Sequence, residues 1–342
     1  MESRKRESWI DRLNVIAVFG VILIHTSGSL LYSFNKEPIF DWWIGNLFDS
    51  MARFSVPVFG MIMGATILRN EYSIGTYFKK RGLRLIPPFL FWALVYLSYD
   101  ASAKFYHGWN PSYVELFFWV GSQVTKGIAI HFWYVYLIVG IYFLLPWLKW
   151  GLRKLTDSSL SFVLVSWFSL LLVQFLFLNI DHHPNYFTYL ICFLGYPVLG
   201  YYFSIKTLKS NRFAMVLLFV GAGITVFGTY YSSLFAGVFK EEYYSFISPN
   251  VALLACGVFL LVKNSRIENR LFTRIQNTIS KHRYGIYLVH ILVLWLLGLV
   301  GVSSRLITPL LGVPLTATLG LIISLGIVLV LNKVPFGKFF AG

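Results

Sequence analysis

Read from the N-terminus, the chain alternates long apolar runs with short polar segments, and these runs set the architecture. A helix that crosses a bilayer needs roughly 20 mostly apolar residues, each rising about 1.5 Å. Ten runs reach that length, near residues 9–32, 43–68, 83–100, 130–148, 158–178, 186–204, 213–233, 245–263, 284–303 and 310–332. The stretch 112–124 is apolar but too short to cross and contains Glu115, so it reads as an interfacial or re-entrant helix. The eighth run is the least regular, because Pro249 and Asn250 interrupt its start. The pattern predicts an all-α fold, a polytopic transmembrane bundle of about ten spanning helices, with residues 1–342 forming one membrane-embedded domain.

Lysine and arginine give the orientation. With the N-terminus in the cytoplasm, the inner segments carry Arg4, Lys5 and Arg6, then Arg69, Lys79, Lys80, Arg81 and Arg84. They continue with Lys149, Arg153, Lys154, Lys206, Lys209 and Arg212, then Lys263, Arg266, Arg270, Arg274, Lys281 and Arg283, and end on Lys333 and Lys338. The outer segments carry only Lys36, Lys104, Lys126, Lys240 and Arg305, roughly one basic residue for every four inside. The expectation is a cell-membrane protein with both termini cytoplasmic. The first run is too long for the core of a signal peptide and contains Asp11, Arg12 and His25, so it reads as a retained helix.

Composition agrees. Charged residues make up 13% of the chain, against about a quarter in a soluble domain, so there is little solvated surface. The net charge of +15 sits in short clusters between apolar runs, which suits anionic lipid headgroups and argues against nucleic acid. Cys192 and Cys256 both fall inside apolar runs and read as core residues, with no metal site or disulfide implied.

Ionisable groups at membrane depth are costly and are functional suspects by default. His25 lies about 24 Å along the first run, counted from Trp9, among Thr26, Ser27 and Ser29. It reads either as a packing histidine bonded to a hydroxyl or as a general base. Arg53 lies near the middle of the second run, four residues after Asp49, and reads either as half of an ion pair or as a cation lining a polar channel. Pro57 should bend that run just beyond it, and Gly60 and Gly64 should allow close helix contact. Arg81 and Arg84 share a face at the inner end of the third run, where they read as a membrane anchor or as a bidentate phosphate clamp. His131 opens the fourth run within HFWYVY and is expected at the interfacial aromatic belt. His290 is expected about 9 Å from the inner end of the ninth run and is a weaker suspect than His25. No metal-binding, nucleotide-binding or serine-hydrolase motif stands out.

Six segments in order resemble the acyltransferase-3 family of integral membrane proteins: DRLNVIAVFGVILIH (11–25), RFSVPVFGMIMGATIL (53–68), FKKRGLRLIPPFLFW (78–92), HFWYVYLIVGIYFLLP (131–146), FLGYPVLGYYF (193–203) and ISKHRYGIYLVH (279–290). The resemblance covers most of the chain. It implies transfer of an acyl group, usually acetyl, from cytoplasmic acyl-CoA to a hydroxyl of a cell-envelope glycan or similar acceptor, with no tightly bound cofactor. It places the family's histidine on His25 and its R-x-x-R pair on Arg81 and Arg84. Two positions depart from the family pattern. Asn14 stands where relatives often carry a basic residue, and Met63 where many have serine. Asn14 shares a face with His25, whereas Arg12 is turned from that face by about 140°.

The expected activity is therefore O-acyl transfer. Arg81 and Arg84 would hold the CoA phosphates, and His25 would act as base or transient acyl carrier. Arg53 and Asn14 would take channel or oxyanion roles. The competing expectation is an exporter or flippase of a polysaccharide or lipid-linked sugar, in which the same polar groups line a passage without making bonds.

Overall fold

The computed structural model describes residues 7–36, 38–177, 186–265 and 270–342. Arg4, Lys5, Arg6 and Arg266, counted above for orientation, lie outside the described residues, as does the side chain of Arg270. No strand occurs among the described residues. An apolar segment in lipid has to satisfy its own backbone polar groups, and helices do so within one segment.

In chain order the helices are α1 (Ser8–Leu31), α2 (Ile39–Ala52), α3 (Ser55–Met63), α4 (Ile74–Tyr106), α5 (Tyr113–Lys126), α6 (Trp133–Leu152) and α7 (Asp157–Phe177). They continue as α8 (Tyr186–Phe193), α9 (Gly195–Ile205), α10 (Asn211–Ala236), α11 (Pro249–Asn264), α12 (Arg270–Leu299), α13 (Pro309–Leu331) and α14 (Lys338–Ala341). Taking α2 with α3 and α8 with α9, ten segments among the described residues are long and apolar enough to cross a membrane. Each falls on one of the ten apolar runs of the sequence. The protein is a multi-pass membrane protein.

α1 is the central helix, in contact with α2, α3, α11, α12 and α13. Leu13, Ala17, Val18, Ile22 and Leu30 are fully buried along it. α7 is peripheral: it buries only Leu160 and Leu171 and turns Phe162, Val165 and Leu176 outward. Lipid tolerates that face because its tails are as apolar as the side chains.

The second span is interrupted, one turn earlier than expected. The break falls at Arg53 and Phe54, and Pro57 is the third residue of α3. In a first turn the missing proline N–H removes no intrahelical bond, so Pro57 starts the new helix and does not bend the old one. Beyond it, Gly60 and Gly64 allow the close contact expected of them. A Cβ on Gly64 would collide with the Pro197 carbonyl of α9, and one on Gly200 of α9 would collide with the backbone of Met61.

Two helices begin well before their apolar runs: α4 at Ile74 in place of about residue 83, and α12 at Arg270 in place of about 284. Basic and polar residues end an apolar run without ending a helix, since Lys, Arg and Gln are good helix formers. α4 starts where Ser73 accepts the Thr76 N–H. The short α5 is capped by Ser112 and Glu115, each side chain accepting the other's backbone N–H, which explains the acidic residue inside an apolar stretch. Between α3 and α4, Glu71 accepts from Arg153 and lies beside Lys149, and the Arg153 bond holds its carboxyl below the usual range.

Candidate active site

Three histidines from different parts of the chain meet inside the bundle. His25 comes from α1, His131 from the turn before α6, and His290 from α12. Ring centroids are 5.2 Å apart for His25 and His290, 4.9 Å for His131 and His290, and 6.4 Å for His25 and His131. His131 and His290 are buried, 1% and 0% exposed. The expected belt position of His131 is therefore corrected: its ring turns into the bundle, where Tyr96 and Tyr287 enclose it. His290 also lies deeper in the bundle than expected: Gln276 and Ser280 of α12, fourteen and ten residues before it, bond to Ser8 and Asn14 near the start of α1.

Backbone carbonyls fix both buried rings. A carbonyl only accepts, so His290 donates from Nδ1 to Tyr287 O at 2.6 Å, and His131 donates from Nε2 to Leu288 O at 3.3 Å. The opposite nitrogens, His290 Nε2 and His131 Nδ1, are buried without a hydrogen-bond partner. Tyr96 stiffens this part of α12, since its hydroxyl donates to Leu288 O at 3.1 Å and accepts the Leu292 N–H at 3.0 Å. The Tyr287 hydroxyl donates to the His131 carbonyl.

His25 is the member of the cluster that borders open space. With Thr26, Ser29, Trp295, Ser304 and Thr316 it lines a cavity of about 270 Å³ at the end of the bundle where α1 finishes. Most hydroxyl protons there are spent internally: Thr26 donates to Ile22 O, Thr316 donates to Ser303 O, and Ser29 and Ser304 share one bond at 2.9 Å, which uses one proton of that pair and leaves the other. Lone pairs remain for a donor-bearing ligand. The volume suits the reacting end of a substrate, since pockets for drug-sized molecules run from about 300 to 1,000 Å³.

Arg53 is paired. Its Nε donates to Asp49 Oδ1 at 2.5 Å, Nη1 donates to Tyr244 O, and the guanidinium lies 4.2 Å from the Tyr244 ring centroid. Ser27, two residues after His25, donates to the same carboxylate at 3.4 Å. Arg53 does not line the cavity.

Asn14 sits about 16 Å from His25 along α1, donating to Ile10 O and to Ser280 of α12. Its Oδ1 is buried without a partner. Arg12 faces elsewhere: it donates to Ser265 O at 2.6 Å, just past α11, where a cation suits the helix C-terminus.

Arg81 is half-buried over the rings of Tyr77 and Tyr142, at 5.9 and 5.5 Å. Arg84, one turn on, is exposed. From Arg81 towards the histidines, tyrosines follow one another. Tyr77 donates to Tyr142 O, Tyr284 donates to Leu85 O, and Tyr287 lies 5.7 Å from Tyr134, whose buried hydroxyl has no partner. The sequence pattern alone does not bring His131 and His290 together with His25; the packing does. Among the described residues, no group of three or more His, Cys, Asp or Glu side chains is arranged to hold a metal ion.

The family model described as an acyltransferase domain, of the acyltransferase-3 type, matches residues 7–333. The chain belongs to the acyltransferase-3 family. No curated protein and no solved structure matches it. Membership makes the bundle a membrane acyltransferase and gives the histidine cluster and its cavity a chemical context. An acyltransferase has to bring a donor carbonyl and an acceptor nucleophile together and dispose of one proton.

Proposed function

We propose that this acyltransferase moves an acyl group, acetyl in the simplest case, from acyl-CoA at the cytoplasmic face to a hydroxyl of a cell-envelope glycan. The observation that carries the reading is His25, an imidazole bordering a cavity that also bears the hydroxyls of Thr26, Ser29, Ser303, Ser304 and Thr316. The four-to-one excess of basic residues at the end bearing the termini supports a cell-membrane protein with both termini cytoplasmic. Arg81 and Arg84 are then on the side where acyl-CoA is found. Their guanidinium groups suit phosphate, and the tyrosines beyond Arg81 suit an extended, amide-bearing arm of the donor.

In the direct route, the acceptor oxygen attacks the thioester carbonyl carbon while its proton passes to the free nitrogen of His25. The C–S bond then breaks, and the departing sulfur takes that proton from His25. The products are an ester and free CoA thiol, and the histidine is restored. Arg53 adds positive charge behind α1, tempered by Asp49, and Asn14 offers a polar contact lower on the same helix. Nothing in the fold or the family match favours the exporter reading.

The test uses membrane vesicles from expressing cells, with their own envelope material as acceptor and labelled acetyl-CoA or succinyl-CoA as donor. Alkali-labile label above that of vesicles lacking the protein is expected from one of the two donors. No gain with either would overturn the acyl-CoA assignment.

A further inference from the structure

Each of the two buried histidines beside His25 keeps one ring nitrogen without a hydrogen-bond partner. His290 Nε2 and His131 Nδ1 are the nitrogens left over once the carbonyls of Tyr287 and Leu288 have taken the ring protons. That wall therefore accepts hydrogen bonds and offers none. A neutral imidazole carries one N–H and one lone pair. Facing an acceptor-only wall, His25 gains by turning its N–H inward, which leaves its lone pair towards the cavity. His290 is the nearer of the two rings, 5.2 Å from His25 between centroids against 6.4 Å for His131.

We propose that His290 is a positioning residue: its Nε2, unpartnered as the rings stand, accepts the N–H of His25 once that ring turns towards it, so that the other nitrogen of His25 points at the acceptor hydroxyl. This rests on the transferase reading. During the step written above, His25 gains a second proton from the acceptor and becomes an imidazolium. The inward N–H stays on His25 throughout, and its bond to His290 strengthens while the charge is present. His290 neither gains nor loses a proton overall. It touches no substrate, because the cavity is lined by His25 and not by His290. His131, 4.9 Å from His290, backs the wall and offers a second acceptor if the His25 ring tilts. Any cation placed there would turn the wall from acceptor to donor, which is why two neutral rings locked by carbonyls suit the task.

Two substitutions of His290 separate this role from packing. Glutamine keeps a hydrogen-bond acceptor, whereas leucine fills the apolar surroundings and accepts nothing. A packing position would prefer leucine, because a buried amide without partners is costly. The positioning role predicts the reverse order. In the vesicle assay with the donor that wild type uses, His290→Leu should lower turnover at saturating donor by about 10²-fold or more. The donor KM should stay unchanged, and His290→Gln should recover most of the loss.

Should His290→Leu fail to extract from membranes as a monodisperse species, His290→Met, flexible and without a comparable acceptor, takes its place. Leucine or methionine matching or exceeding glutamine in turnover would overturn the proposal. The outcome is distinct from failure of the transferase reading, which would show as an active His25→Gln protein or as no transfer by wild type.

Discussion

Asp49 and Arg53 hold each other one helical turn apart where the second span breaks, with 2.5 Å between Oδ1 and Nε and the carboxylate 1% exposed. The pair closes the end of α2 and reaches both neighbours, α1 through Ser27 and the Tyr244 backbone through the guanidinium. Removing one partner leaves an uncompensated buried charge. Arg53→Met should therefore cost about 3–5 kcal/mol of stability, and adding Asp49→Asn should restore a large part of it. Thermal unfolding in detergent checks this. Losses that simply add in the double variant would show that the two residues are not coupled.

The arginines at the start of α4 bear on the donor. Arg81→Ala and Arg84→Ala should each raise the apparent KM for acyl-CoA, since a charge-assisted phosphate contact contributes about 1.5–3 kcal/mol. Lysine at either position should rescue only in part, because a point charge lacks the planar fork. Unchanged donor KM in both alanine variants would make the pair a membrane anchor and nothing more.

Orientation is open to chemical labelling. Val238, in the turn after α10, and Phe336, after α13, are both exposed and lie at opposite ends of the bundle. With Val238→Cys, an impermeant thiol reagent should label intact cells. With Phe336→Cys, it should label only after lysis. The native Cys192 is buried and Cys256 is partly so, which keeps the background low. The reverse pattern would put Arg81 and Arg84 on the side away from cytoplasmic CoA.

How much of this was legible in the sequence depended on whether a signal lay within one helix. The ten spans were, because an apolar run of sufficient length has one solution in lipid. His25 was, because a single imidazole inside VILIHTSGS stands out against its own neighbours. His131 was not: it sits among aromatic residues at a span end, the composition of an interfacial belt, and only the packing of α12 shows which way its ring turns. His290 was placed too shallow because RIQNTISKHR is helical without being apolar, so hydropathy missed the first turns of α12. The contacts among the three rings cross more than a hundred residues of sequence, and no periodicity encodes them. The Asp49–Arg53 pair was readable from its spacing of four, but the break beside it was displaced towards Pro57 in the sequence reading.

If His25 performs the acyl transfer, a single substitution there removes the reaction and little else. His25→Gln keeps size and hydrogen bonding while removing the titratable nitrogen. It leaves the apolar packing of α1 in place, so the variant should insert and extract like wild type. Envelope glycans from cells expressing His25→Gln should carry alkali-labile acyl groups at no more than the level of cells lacking the protein, given that one general base contributes about 10²–10⁴-fold. Near-normal acylation by a His25→Gln protein present at wild-type abundance would leave His25 without a chemical role.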